Sequence, residues 1–316
     1  MNRNIQVRIS KFSILVHLSC VTAATLAALS AARPAHAIVF LTQAAQTAGL
    51  GAGQAFLNPE AELIVSFSND TEVGCSGSLL AGGEYVLTAA HCVTGDNDNL
   101  TATNISLDFA NVGLNVSSTK YIVDPTWNGN LLNGGDLALI KLSSPITSIT
   151  GYAVDTASSV AAGTTVTIAG YGDTAYGTAG YSSNNFGKLY DGTTDFSGVW
   201  SQVPSVYDYE FVNGGSGYSG SQEAMIAPGD SGGAALLDVN GTWEIVGVND
   251  FDACTAAGCT PNASLNQYGG DTAVYADASF LDRYLVPEPG SLVLVGAGLV
   301  GVAAARRRAT ARQASH

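Results

Sequence analysis

The chain of 316 residues is 46% hydrophobic, carries 26 acidic against 12 basic residues, and has a formal net charge of −14 at pH 7. Between residues 38 and 286 the imbalance sharpens, with Lys120, Lys141, Lys188 and Arg283 set against 25 acidic residues. Phosphate groups and anionic lipid call for positive charge, so nucleic acid and acidic membrane surfaces are excluded as partners of this segment. Disorder is excluded as well, because Val, Ile, Leu, Tyr and Phe are interleaved with the acids throughout.

The first 37 residues read as a secretory signal peptide: a basic start (Arg3, Arg8, Lys11), an apolar run from Phe12 to Leu29, and small residues at Ala35 and Ala37 ahead of a cut by signal peptidase. Cys20 and His36 then fall outside the mature protein. Gln43 to Gln54 is rich in Ala and Gly and fits either a short helix or a linker. Beyond it, short runs of β-branched and aromatic residues predict strands at Leu63 to Phe67, Glu84 to Thr88, Ile105 to Phe109, Lys120 to Val123, Leu137 to Leu142, Thr165 to Ala169, Trp243 to Val248 and Ala273 to Ala276. No long amphipathic helical pattern interrupts them before Phe280, so an all-β antiparallel barrel or sandwich is expected. Residues 171 to 221, rich in Gly, Tyr, Ser, Asn and Asp, predict long surface loops around a few strands, a composition suited to substrate contact. The 249 residues from 38 to 286 suffice for one large all-β domain or two half-domains.

Four cysteines remain after the signal segment: Cys75, Cys92, Cys254 and Cys259. An even number in an exported chain predicts two disulfides. Of the three connectivities, Cys75 with Cys92 and Cys254 with Cys259 is favoured, since each pair flanks a compact segment. A metal site would need all four thiolates to converge without a nearby histidine, so neither metal nor cofactor is expected.

At the other end, Val286-Pro287-Glu288-Pro289-Gly290 precedes an apolar stretch from Leu292 to Ala305 and then Arg306-Arg307-Arg308. Such a stretch rises only ~21 Å as helix against a hydrocarbon core of ~30 Å, yet flanking residues and snorkelling arginines extend its reach. A transmembrane helix with the arginines on the cytoplasmic side is therefore expected. The order of these elements strongly resembles the PEP-CTERM sorting signal of Gram-negative bacteria, over residues 286 to 308. The resemblance implies cutting near Pro287-Glu288-Pro289 by an exosortase-like enzyme. It implies transit through the inner membrane, with membrane contact through the helix before processing, and residence at the cell surface or in the extracellular matrix. The expected division is a signal peptide over 1–37, a folded domain over 38–286 and a sorting signal over 287–316.

Within the folded domain one histidine remains, His91, in Thr88-Ala89-Ala90-His91-Cys92. A serine hydroxyl is a poor nucleophile at neutral pH and needs a base to accept its proton as it attacks a carbonyl. His91 can serve the serine of Gly229-Asp230-Ser231-Gly232-Gly233, and Asp136, which precedes the apolar Leu137-Ala138-Leu139-Ile140, can fix the imidazole tautomer from a buried position. Gly229 frees backbone N–H groups to converge where an oxyanion would form.

These motifs closely resemble the chymotrypsin/trypsin-like serine endopeptidases over about residues 60 to 285. Gly74-Cys75-Ser76-Gly77-Ser78-Leu79-Leu80 and Val86 to Cys92 are similar to the histidine region, Asp136 with Leu-Ala-Leu-Ile to the aspartate region, and Gly229 to Ala234 to the nucleophile region. Ala169-Gly170-Tyr171-Gly172 and Ala273-Val274-Tyr275 are similar to two further family segments. The resemblance implies two six-stranded antiparallel β-barrels, a short terminal helix over Ser279 to Leu285, and a catalytic triad of His91, Asp136 and Ser231 between the barrels. It also implies an oxyanion hole from the Gly229 and Ser231 amides and a disulfide from Cys75 to Cys92. Ala227 stands where the family has a cysteine bracing the loop before the nucleophile. The primary pocket would have Met225 at its base, Ile226 beside it, Ala273 on its wall and Asp252 on its rim, favouring medium apolar side chains over Lys or Arg. Signal cleavage after Ala37 would free Ile38-Val39 to pair with Asp230, the opposing reading being a flexible arm cut later. The expected partners are protein or peptide substrates, and the alternative function is a catalytically silent surface or matrix-binding protein of the same fold.

Overall fold

The computed structural model describes residues 6–8 (as backbone), 38–95, 97–177, 180–181, 186–200, 203–211, 223–256 and 258–285. In chain order these form β1 (Gln6–Arg8), β2 (Ile38–Phe40), α1 (Gln43–Ala48), β3 (Glu60–Phe67), β4 (Glu72–Leu79), β5 (Tyr85–Thr88), α2 (His91–Thr94), β6 (Ala102–Phe109), β7 (Leu114–Ser118), β8 (Tyr121–Val123), β9 (Ala138–Lys141), β10 (Ala153–Val154), β11 (Thr165–Gly170), β12 (Thr174–Tyr176), β13 (Tyr190–Asp195), β14 (Gly198–Val199), β15 (Val206–Glu210), β16 (Ala224–Met225), β17 (Ala234–Val239), β18 (Thr242–Cys254), β19 (Tyr268–Ala273) and α3 (Ala278–Leu285).

The first sheet runs β7-β6-β3-β4-β5-β9-β8, antiparallel throughout. Alternation along β3 turns Ala61, Leu63, Val65 and Phe67 inward, and β6 adds Ile105, Leu107 and Phe109 to the same buried set. The second sheet follows β13-β11-β17-β18-β19-β15-β14, with β1 and β10 also paired to the long β18. A small third sheet, β12-β2-β16, places Ile38–Phe40 between two strands, all three residues being fully buried.

Two curled sheets, each traced by a path of seven strands, thus replace the expected closed six-stranded barrels. The first path ends at β7 and β8 and the second at β13 and β14, and among the described residues neither pair of end strands is hydrogen-bonded to close its sheet; β18 takes four partners along thirteen residues. Ala273 to Ala276, expected as a strand, is the end of β19 followed by a 3₁₀ turn over Val274–Asp277, where the chain turns into α3. Gln43–Ala48 is a helix, capped by Thr42, whose hydroxyl accepts from the Ala45 amide at 3.0 Å.

The segment from Ser279 onward forms a unit of its own, described through α3, where the Phe280 and Tyr284 rings meet edge-on at 5.7 Å. The expected transmembrane helix over Leu292 to Ala305 is corrected. No helix among the described residues is long and apolar enough to cross a membrane, and that stretch, too short as helix to match a ~30 Å core, lies outside the described residues.

Several acids are buried with the strands. Glu60 on β3 is fully buried, accepts one hydroxyl bond from Ser78 at 2.8 Å, and is pushed up by burial to about 8. A carboxyl with a raised folded-state pKa stabilises the fold fully below its unfolded value, and that contribution is lost as pH rises through the folded value. The melting temperature is therefore expected to fall between pH 6 and 9, and Glu60→Gln to raise it by a few degrees at pH 9 while leaving it little changed at pH 5. Thermal denaturation across pH checks this; a wild-type curve that climbs from pH 6 to 9 would contradict it.

Candidate active site

His91 opens α2 directly after β5. Ala89 and Ala90 before it are fully buried, small enough for the chain to enter the interior, and Cys92 is disulfide-bonded to Cys75 on β4 with Cα atoms 6.2 Å apart. A second disulfide joins Cys254 and Cys259. Asp136 arrives after Gly134 and Gly135, both at positive φ, and at Gly135 a Cβ would lie 2.2 Å from Thr126 Oγ1. Its carboxylate holds His91 twice, Oδ1 accepting from the backbone amide at 2.8 Å and Oδ2 meeting Nδ1 at 2.6 Å. Asp136 is completely buried; burial alone pushes its carboxyl up, but the charge and hydrogen bonds of His91 outweigh this and hold it below the ordinary value.

The loop carrying Ser231 comes from the second sheet and is pinned to the first by Ser76 on β4. The Ser76 hydroxyl donates to the Gly229 carbonyl at 2.8 Å and accepts from the Tyr171 amide at 2.9 Å, while its own amide donates to the Ser231 carbonyl at 2.8 Å. Gly229 has φ +96°, and a Cβ there would meet the Phe186 ring at 2.6 Å, so the loop needs glycine at this point. The amides of Asp230, Gly232 and Gly233 donate inward to the carbonyls of Ala227, Asn249 and Asp230. Those of Gly229 and Ser231 donate to no backbone carbonyl among the described residues.

One sulphur atom marks where the parts meet: Cys92 Sγ lies 3.9 Å from His91 Nε2 and 3.5 Å from the Ser231 carbonyl oxygen. The Ser231 hydroxyl makes a long hydrogen bond, 3.4 Å to the carbonyl of Asp250, and none to His91 among the described residues. His91 and Asp136 are therefore directly joined, and Ser231 is brought beside them without the bond that would complete the chain.

Asp230 is fully buried. It accepts from the amides of Gly172 at 2.8 Å, Ala227 at 2.9 Å and Ile38 at 3.3 Å; burial pushes it up to about 7 against the pull of those bonds. The Ala227 amide thus ties the loop to its own aspartate where a cysteine brace is lacking. Ile38, a β-branched residue at φ +63°, is held in the left-handed region, a strained backbone for this side chain.

Of the expected pocket residues, Met225 and Ile226 are enclosed in an apolar cluster with Ile38, Val39 and Tyr209. Asp252 lies on β18 opposite Gly269, whereas Ala273 lies opposite Gly247, four residues further along β19. At Gly269 a Cβ would sit 2.2 Å from Tyr209 Cζ, so the tyrosine ring fills the space beside that glycine. Two residues further along β19, Asp271 is fully buried, pushed up by burial to about 8.

Ser76, Tyr209, Asp250 and Asp271 were not singled out by the sequence. Asp250 and Asp271 are acids inside strand patterns whose pairing partners are distant in the chain, and no local signal marks them. His91, Asp136 and Asp250 gather their ligand-type atoms within 4.8 Å. Two ligands of one ion in a tetrahedral shell stand roughly 3 Å apart, so the 2.6 Å from Nδ1 to Oδ2 is a proton-sharing distance with no room for an ion between them. The Cys75 and Cys92 sulphurs are spent on their disulfide.

Two curled antiparallel sheets with a histidine–aspartate pair from one and a glycine-framed serine loop from the other define a chymotrypsin-like serine-protease fold. Residues 53–268 match the trypsin family, and residues 285–308 match the PEP-CTERM protein-sorting motif. The chain belongs to the trypsin family. It is 32% identical to a trypsin-like protease of Streptomyces glaucescens over 206 residues, covering 63% of this chain and 73% of that protein. It is also 32% identical to chymotrypsin-like elastase family member 1 of Rattus norvegicus over 207 residues, covering 58% and 70%. The solved structure of HL collagenase superposes with a TM-score of 0.53 at 18% identity, over 74% of this chain and 96% of that one, a likeness of fold.

Proposed function

We propose that this protein is an exported serine endopeptidase in which Ser231 attacks the peptide carbonyl, His91 accepts and returns the proton, Asp136 orients the ring, and the Gly229 and Ser231 amides stabilise the oxyanion. The observation that carries the reading is the buried Asp136 carboxylate gripping both the amide and Nδ1 of His91, which leaves Nε2 as the basic nitrogen on the side where Ser231 lies. The Ser231 hydroxyl bonds the Asp250 carbonyl at 3.4 Å, and the reading requires it to turn from there toward that nitrogen. An organophosphonate is expected to label the processed wild type on Ser231, and Ser231→Ala to abolish labelling and lower kcat by about 10⁶-fold. A processed protein that takes no label and cleaves no denatured protein would return the reading to a catalytically silent surface or matrix-binding protein of the same fold.

The cleavage preference we propose is for small to medium apolar side chains. Met225 and Ile226 are apolar and enclosed, Tyr209 shortens the space beside Gly269, and Asp271 with a pKa near 8 offers no fixed charge at neutral pH to select a basic residue. A peptide-library profile should therefore be led by residues such as Ala, Val and Leu on the acyl side; dominance of Lys or Arg would overturn it.

We further propose the domain order of a signal peptide over 1–37, a protease domain over 38–286 and a sorting signal over 287–316, with signal cleavage doubling as activation. Ile38 already sits in the buried third sheet with its amide 3.3 Å from Asp230, so cutting after Ala37 would turn that amide into an ammonium facing a carboxylate that has no cation partner among the described residues. Exosortase-like cutting near Pro287 to Pro289 would then release the domain to the cell surface or the surrounding matrix. Intact-mass analysis and N-terminal sequencing of the exported protein read both ends: active protein is expected to begin at Ile38 and to end near Pro289. A form extended past Ile38 should lose roughly 10- to 100-fold in activity with the charge-assisted bond. An active form starting well beyond Ile38 rules out this pairing.

A further inference from the structure

The ladder between β18 and β19 pairs Asn249 with Asp271 and next pairs Phe251 with Gly270, leaving Asp250 as the extra residue of a β-bulge. A bulge re-aims the residue it displaces. Here the Asp250 carbonyl accepts from Ser231 Oγ, and its fully buried side chain turns to the back of the His91–Asp136 pair. Oδ2 accepts from Thr272 Oγ1 at 3.0 Å, while Oδ1 lies 4.0 Å from His91 Nδ1 and receives no donor among the described residues.

The groups facing Asp250 are Asp136 and His91 from the first sheet, and Thr272 and Asp271 from β19. Two buried carboxyls with oxygens within 4.8 Å of each other, and with no cation among the described residues but the imidazole itself, cannot both ionise without a large penalty, so one proton is shared between Asp136 and Asp250. Asp136 accepts two N–H bonds from His91, at 2.8 and 2.6 Å, and both require a free lone pair on each of its oxygens. Asp250 accepts one hydroxyl and has an oxygen to spare.

We propose that Asp250 is a positioning residue for His91, acting through Asp136: its neutral carboxyl donates a hydrogen bond from Oδ1 to Asp136 and fixes that carboxylate against the Nδ1 edge of the ring. Burial first, and the Asp136 charge second, push the Asp250 carboxyl well above the ordinary range, in keeping with the proton residing there. The bulge thus serves both sides of the site, with a backbone carbonyl at the serine and an acid at the aspartate. The catalytic meaning of this contact rests on the peptidase reading; the proton's location does not.

The test compares the processed wild type with Asp250→Asn and Asp250→Ala. NMR titration of His91, the one histidine between residues 38 and 286, requires no activity. Asn replaces one neutral donor by another, so the His91 midpoint is expected to move by less than about 0.3 pH unit, whereas removing an ionised neighbour at this range would lower it by about 1 unit or more. A drop of that size overturns the proposal. In cleavage assays Ala is expected to lower kcat at least about 10-fold, the scale of a lost hydrogen bond to a charged group, with KM little changed and with Asn restoring most of the rate. Full activity in the Ala variant, or no rescue by Asn, would also overturn it. Should Ala fail to fold, the Asn titration decides alone; should the wild type be inactive, the peptidase reading falls while the titration still locates the proton.

Discussion

With four basic residues between positions 38 and 286, the chain buries Asp136, Asp230 and Asp250 without an ammonium or guanidinium partner among the described residues. Every acid taken into the interior must then be met by N–H and O–H donors or keep a proton, because an uncompensated buried charge costs several kcal/mol. Asp136 is met by two N–H groups of His91, Asp230 by three backbone amides, and Asp250 by Thr272 and the Asp136 carboxyl. The site is built from these three solutions. Each holds a different part of it: the imidazole, the loop before Ser231, and the aspartate behind the imidazole.

The two sheets would not present a common site if their loops were free to shift. Ser76 prevents this by bonding, from a strand of the first sheet, to Gly229 and Ser231 of the second sheet's loop and to Tyr171 beyond β11. The Cys75–Cys92 disulfide sits next to it and fixes α2 to the same strand. Neighbouring residues of β4 therefore set the position of the histidine and of the serine together. Gly232, where a Cβ would lie 2.1 Å from Thr88 Oγ1, shows how closely the loop lies on the first sheet. A rigid frame of this kind holds the histidine–aspartate pair and the serine loop in a fixed relation, as the proposed chemistry requires.

How much of this was legible in the sequence follows from which contacts are local. His91, Asp136 and Ser231 each sit in a short string whose glycines, alanines and apolar flanks constrain the backbone, so each could be named from its own neighbourhood. The strand at Glu60–Phe67 showed itself by its β-branched and aromatic run from Leu63, though three residues of its start did not. Sheet closure could not be read, because it depends on which edges meet after folding. Nor could Asp250, whose role arises from a bulge, a register shift defined only by the partner strand. Tyr209 is similar: its ring matters because Gly269 stands across the ladder, 60 residues later in the chain. Residues 171 to 221, expected as loops around a few strands, include β12, β13, β14 and β15, a reminder that Gly, Asn and Asp mask strands buried on a crowded face.

The carboxyl systems make opposite demands on protons, and together they confine the chemistry on the proposed reading. Asp230 pairs with a freed Ile38 ammonium only when ionised, so acidity that protonates it, with a pKa near 7 before any cation arrives, opposes the ordered loop. An arriving ammonium favours the anion and widens the working range downward. The Asp136–Asp250 pair instead needs one proton to remain, so alkalinity that strips it sets two negative charges against each other behind the imidazole. The lower limit belongs to the second sheet's loop and to His91, the upper limit to the bulge on β18. An acidic interior thereby becomes a bounded pH window through the different ways in which its buried carboxyls are satisfied.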